Sequence, residues 1–166
     1  SHVDDHGLSI NLNNHITGFV PIIHNADIPI KETLKKFPLK KKVQCRVLHV
    51  DPSRQRLILT MKKSLLNTKL PIVSSYKDLQ NSLVTIGVIV SIQDYGLLVK
   101  LFGNLCGLVP KSEIGQLQNV LTANVKNQLQ QMFHIGQTVS CQILNFDEDQ
   151  KKITLSLKVI NQQVLI

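Results

Sequence analysis

Apolar residues alternate with polar ones along much of this chain. Val43, Cys45 and Val47 alternate with Gln44, Arg46 and Leu48, and Leu57, Leu59 and Met61 with Ile58 and Thr60. The same pattern returns at Val139, Cys141 and Ile143, and at Ile153, Leu155 and Leu157. A period of two predicts strands with one buried face. Between each pair of runs lies a polar segment, "DPSRQR" or "DEDQKK", that reads as a hairpin turn. "YGLLVKLFGNLCGLVP", Tyr95 to Pro110, predicts two more strands and a tight turn, and "LVTIGVIVSI", Leu83 to Ile92, another strand before it.

These patterns occur twice. "HGLSINLNNHITGFVP", His6 to Pro21, aligns without a gap to Tyr95–Pro110, sharing the G-L pair, the central leucine and the G-x-V-P ending. Further on, Cys45 aligns with Cys141, Asp51 with Asp147, Lys62 with Lys158 and Phe37 with Phe133. The spacing between copies is 89 residues in the first block and 96 in the second, so the second copy carries seven more residues between them. Two ordered blocks of this kind define a duplicated module.

Each module holds about five short strands with an insert between the third and fourth, which predicts an all-β fold of two tandem five-stranded Greek-key barrels with short helices. In the second insert, Leu117, Leu121, Val125 and Leu129 recur every fourth residue, a helical spacing. In the first, Asp27 and Pro29 read as a helix start. Nothing before Val3 supplies a first strand for the first module, so that module is expected to be incomplete and less stable. The expected organisation is a module over 1–64, an ordered linker over 65–82, a module over 83–160 and a tail over 161–166.

Charge points to a polyanionic partner. The net charge is +8, and each neutralised phosphate releases counterions. The charge is uneven: residues 1–64 carry +6, concentrated in "KKFPLKKK" and "RQR", while 83–160 carry +1. Three widely spaced cysteines, Cys45, Cys106 and Cys141, suggest neither a disulfide frame nor a zinc site, and fit a reducing compartment. Cys45 and Cys141 occupy matching strand positions, which favours core packing.

The sequence carries no clear signature of catalysis. The six histidines show no metal-like pairing with cysteine or carboxylate. Ser112 has no nearby histidine to activate it and reads as a helix cap. "LFGNLCG" lacks the Lys-Ser ending of a phosphate loop. The chain therefore reads as non-enzymatic, with no cofactor, metal, small-molecule substrate or membrane segment expected.

"GVIVSIQDYGLLVKLFGNLCGLVPKSEI" followed by "FHIGQTVSCQILNFDEDQKKITLSLK" resembles the S1 RNA-binding domain, a version of the OB-fold. The likeness covers about Leu83 to Lys158, and in the first module begins at the second strand. Endings such as "GLVPKSE" and "GFVP" resemble degenerate tandem S1 repeats of nucleolar ribosomal RNA processing factors. That resemblance implies pre-ribosomal RNA and ribosome assembly proteins as partners, a role in small-subunit assembly, and a location in the nucleus and nucleolus. It also implies a surface where bases stack on two aromatics and a histidine. Tyr95 keeps the first aromatic, but Leu98 and Pro110 replace the other two groups; in the first module the three places hold His6, Ser9 and Pro21. The candidate RNA contacts are Tyr95, Lys100, Phe102, Lys111, Lys151 and Lys152 in the second module, with Lys40, Lys41, Lys42, Arg54 and Arg56 in the first. On this reading the aromatic and the charge fall in different modules. The alternative is a scaffold whose eroded S1 surfaces dock proteins.

Overall fold

The computed structural model describes residues 3–13, 15–28, 30, 33–115 and 124–158. It divides into two compact units, Ser1–Thr68 and Lys69–Ile166.

The second unit is a closed barrel. Its strands are β6 (Val84–Gln93), β7 (Gly96–Lys100), β8 (Cys106–Pro110), β9 (Thr138–Asp147) and β10 (Lys152–Ser156), in the order β10-β8-β7-β6-β9. All neighbours are antiparallel except β8 and β10, which run parallel at Leu108 and Thr154. This is the OB-fold topology, in which the third and fifth strands close the barrel. The inward residues Ile89, Leu97, Val99, Val109, Cys141, Ile143, Ile153 and Leu155 are buried, as alternation requires. The segment read as a linker contributes to this core through Val73 and Leu79, whereas Leu65 is buried in short helix α2 (Lys63–Leu66) of the first unit. Helix α3 (Val125–Met132) buries Val125 and Leu129, one turn apart on one face. Leu117 and Leu121 lie outside the described residues.

The first unit repeats the connectivity without closing. Its strands are β1 (Val3–Asp4), β2 (Gly7–Asn11), β3 (Thr17–Pro21), β4 (Arg46–Asp51) and β5 (Arg56–Thr60), in the order β1-β2-β3-β5-β4. The expectation that its first strand is missing needs one correction: two residues of it are present. Val3 and Asp4 pair with Leu8 and Gly7 as Ile92 and Gln93 pair with Leu97 and Gly96. In the second unit β6 also pairs with β9, from Val84 opposite Gln142 to Val88 opposite Thr138; among the described residues β1 pairs with β2 alone. The consequence shows in one matched pair: Ile143 is 0% exposed, while its counterpart Val47 is 47% exposed. The core is correspondingly small: Leu8, Val20, Leu59 and Met61, flanked by Ile10, Phe37, Val43, Cys45 and Leu57.

Asp27 does not begin a helix at this point in the chain. The described helix of the first insert, α1, spans Thr33–Lys36, and Pro29 lies outside the described residues. Asp27 instead accepts hydrogen bonds from the Ser64 backbone N–H at 3.1 Å and from the Ser64 hydroxyl, at the first turn of α2. Its carboxylate also faces Lys62 at 3.9 Å. Ser112 is the middle residue of the 3-10 turn Lys111–Glu113, not its cap.

Both units tie the end of β3 or β8 to the end of the last strand. In the second, the Ser156 hydroxyl donates to Glu113 at 2.7 Å, the Leu157 N–H donates to the Glu113 carbonyl, and Lys158 lies 3.6 Å from the Glu113 carboxylate. In the first, His24 takes the place of Glu113: its Nδ1 is 3.0 Å from the Thr60 hydroxyl, and its carbonyl accepts the Met61 N–H. A histidine cannot neutralise Lys62, and Asp27 supplies the missing charge.

Candidate nucleic-acid interface

In an OB-fold, ligands lie across the second and third strands, between the loop joining strands one and two and the loop joining strands four and five. On β7 and β8 the outward residues are Leu98 opposite Leu108, Lys100 opposite Cys106, and Gly96 opposite Pro110. Tyr95 sits in the β6–β7 turn and is 54% exposed. Its carbonyl accepts the Lys111 N–H at 3.0 Å, so an exposed aromatic and an exposed cation stand together at one end of the face. Methyl-free Gly96 makes this closure possible, because a Cβ there would lie 2.0 Å from the Val109 carbonyl oxygen.

Lys100 lies at the other end, exposed, opposite the exposed Cys106. Because β8 and β10 run parallel through Leu108 and Thr154, Lys152 is level with Cys106. Lys151 and Lys152 are exposed, but so are Asp147, Glu148 and Asp149 in the same turn. Desolvation, then the charges of Glu148 and Asp147, holds the Tyr76 phenol above its ordinary pKa, which places a second aromatic near this acidic loop. Burial pushes the Cys141 thiol up to about 12, and Cys106 is also raised by desolvation although Lys100 opposes it. Both shifts favour the protonated thiol at neutral pH.

Phe102 must be withdrawn from the set of contacts. It is 3% exposed, and a buried ring cannot receive a base. Gly103, at φ +61°, turns the chain beneath the Ser74 carbonyl, which would stand 1.9 Å from a Cβ at that position. The segment before β6 thus covers the hairpin end.

In the first unit Lys40, Lys41 and Lys42 are all exposed. Their segment is ordered locally: the Lys41 N–H donates to the Pro38 carbonyl, its ammonium donates to the Lys36 carbonyl at 3.1 Å, and it stands 5.6 Å from the Phe37 ring centre. Lys41 and Ser9 line one small cavity, so this basic turn lies along β2. Arg56 and Arg54 are exposed in and beside the β4–β5 turn. Arg54 pairs with Asp51 at 3.9 Å, a surface contact worth little.

The sequence reading missed Phe19. Gly18 and Val20 are buried, so Thr17, Phe19 and Pro21 point outward. Phe19 is the cross-strand partner of Ser9 and of Ile58. A Cβ on Gly7 would lie 2.8 Å from Cζ and 3.1 Å from Cε2 of Phe19, so the ring reclines toward its diagonal neighbour. The basic unit thus has an outward aromatic after all, and strict alternation across "TGFVP" marks it.

Among the described residues no group of three or more His, Cys, Asp or Glu side chains could hold a metal ion. The profile of the S1 RNA binding domain matches residues 84–158, and that of the RRP5 S1 domain matches residues 1–61. The chain is 34% identical over 157 residues to "Protein RRP5 homolog" of Homo sapiens, covering 95% of this chain and 8% of that one. It is 30% identical over 152 residues to "rRNA biogenesis protein rrp5" of Schizosaccharomyces pombe, covering 92% and 9%. It is 33% identical over 154 residues to "Small ribosomal subunit protein bS1c" of Pyropia yezoensis, covering 92% and 51%. The chain thus spans less than a tenth of the length of its RRP5 relatives. Matched by S1 profiles over 1–61 and 84–158 and built on the OB-fold strand order, the chain belongs to the S1 RNA-binding domain family.

Proposed function

We propose that the chain is a pair of non-catalytic S1-type modules, over 1–64 and 83–160, from a ribosome assembly factor of the nucleolus. In this reading the modules hold single-stranded or locally opened pre-ribosomal RNA through weak contacts that gain strength by linkage to other modules. The observation that carries it is the outer face of β7 and β8, with Tyr95 and Lys111 at one end and Lys100 and Lys152 at the other. The names of the RRP5 relatives supply the ribosomal RNA setting. A second reading, docking of assembly proteins, is favoured by the apolar middle of the same face, where Leu98 and Leu108 stand.

Binding of the intact chain to a short single-stranded RNA at several salt concentrations tests the proposal. The expected slope of log affinity on log salt is about −0.7 for each phosphate contacted. Changing Lys40, Lys41 and Lys42 to alanine should flatten it by about 2 if all three reach phosphates. Tyr95→Ala should weaken binding by about 1 kcal/mol or more. An unchanged slope removes the lysine turn from the interface, and unchanged affinity removes Tyr95.

A further inference from the structure

We infer that the first unit carries a docking groove for an amphipathic helix of a partner protein, one with acidic residues beside its apolar stripe. The place is a cavity of about 640 Å³ whose wall includes Asn25, Phe37, Val43 and Met61. The residues aligned with these four in the second unit are Ile114, Phe133, Val139 and Leu157. There they share one core with Val125 and Leu129 of α3, so the second unit supplies its own helix. The first insert is seven residues shorter, about two turns of helix. Its described helix, α1, spans four residues where α3 spans eight. Among its described residues the first unit therefore keeps the seat of α3 without the helix that fills it.

The wall of the cavity selects its occupant. Asn25 stands where the second unit has Ile114 and is 3% exposed. Among the described residues neither its Nδ2 nor its Oδ1 has a hydrogen-bond partner, a state in which buried polar groups are seldom left. A side-chain amide offers both a donor and an acceptor, so it suits the backbone groups that a helix leaves unpaired at its end. Ile28, 78% exposed, adds a large apolar side chain to the wall. Lys36 and Lys63 line the cavity and are exposed. Asp27, the carboxylate in the same wall, is engaged by Ser64 and faces Lys62. A helix with apolar residues at i and i+4 and acids beside them thus meets an apolar wall and two ammonium groups. None of the lining residues lies on β2 or β3, so the groove is separate from the nucleic-acid face and does not rest on the RNA reading.

The chain has two methionines, Met61 in the cavity wall and Met132 on α3, so their methyl resonances give a reporter and an internal reference. The probe is a capped helical peptide with valine and leucine at the spacing of Val125 and Leu129 and glutamates on its other faces. Titrated into the intact chain, it should shift the Met61 methyl saturably and leave Met132 unmoved. The same peptide with alanine for the valine and leucine should shift neither. The variant Lys36→Glu/Lys63→Glu, changed only at exposed positions, should bind the peptide about tenfold more weakly, and a lysine-flanked version of the peptide should recover the affinity. No saturable Met61 shift in the parent, or equal affinity of parent and charge-reversed variant, overturns the proposal. A Met61 shift on concentrating the parent alone would seat a second copy of this chain in the groove and overturn the partner helix.

Discussion

Asp27→Ala should destabilise the first unit by about 1–3 kcal/mol, because it strands a buried ammonium although the carboxylate itself is partly exposed. The side chain of Lys62 is 1% exposed, and that of Asp27 is 37% exposed. Removing the carboxylate leaves the ammonium without its counter-charge and takes away the acceptor at the start of α2. Burial lowers the Lys62 pKa, and the charge of Asp27 pulls it part of the way back. A lysine whose folded pKa lies below its unfolded value makes the unfolded chain bind more protons, so stability rises as pH climbs toward the ordinary lysine range. Lys62→Met should abolish that rise, and the double variant Asp27→Ala/Lys62→Met should recover most of the loss, because an apolar chain of similar length needs no partner. Amide hydrogen exchange in β3 and β5 reads all three variants. Equal protection in Asp27→Ala and the parent would mean that Asp27 does not stabilise the buried ammonium.

Leu155→Ala should cost the second unit about 2–5 kcal/mol. Leu155 is 0% exposed, and its Cδ1 and Cγ would lie 2.5 and 2.8 Å from a Cβ on Gly107. The leucine of the last strand therefore packs on the bare backbone of the third. Leu59 and Gly18 repeat the arrangement in the first unit, with Cδ1 at 2.4 Å. Gly107→Ala should cost about 1–3 kcal/mol by overpacking the same spot. Combined with Leu155→Val it should cost less than the two single changes added, since they share one volume. Additive costs, read from hydrogen exchange across β8 and β10, would show that the glycine serves some other purpose.

Much of this architecture is legible in the residues. Alternation gives the inward faces of β7, β8, β9 and β10, and duplication gives the shared strand order. What local pattern cannot give is contact between distant segments. Phe102 reads as a turn residue, but it is buried, and the next residue, Gly103, packs against the Ser74 carbonyl from far back in the chain. Asp27 resembles a helix start because its partners, Lys62 and Ser64, lie more than thirty residues ahead. Phe19 escaped for a different reason. The family pattern looks for its second aromatic on the preceding strand, while the geometry makes the two strands interchangeable: Ser9 and Phe19 face each other. The separation of charge and aromatic into different modules, apparent in the sequence, narrows once Phe19 is seen on the outward side of the basic unit, the side that Ile58 and Arg56 share on β5. Tyr95 is exposed at the end of a face that is apolar in its middle.

The central claim, that these outer faces meet RNA, is tested most directly by ultraviolet cross-linking of the full-length protein in its native assembly, with adducts mapped to peptides. The account predicts RNA adducts on the peptides that contain Phe19 and Tyr95. Protein cross-links against both peptides, with RNA adducts on neither, would contradict it.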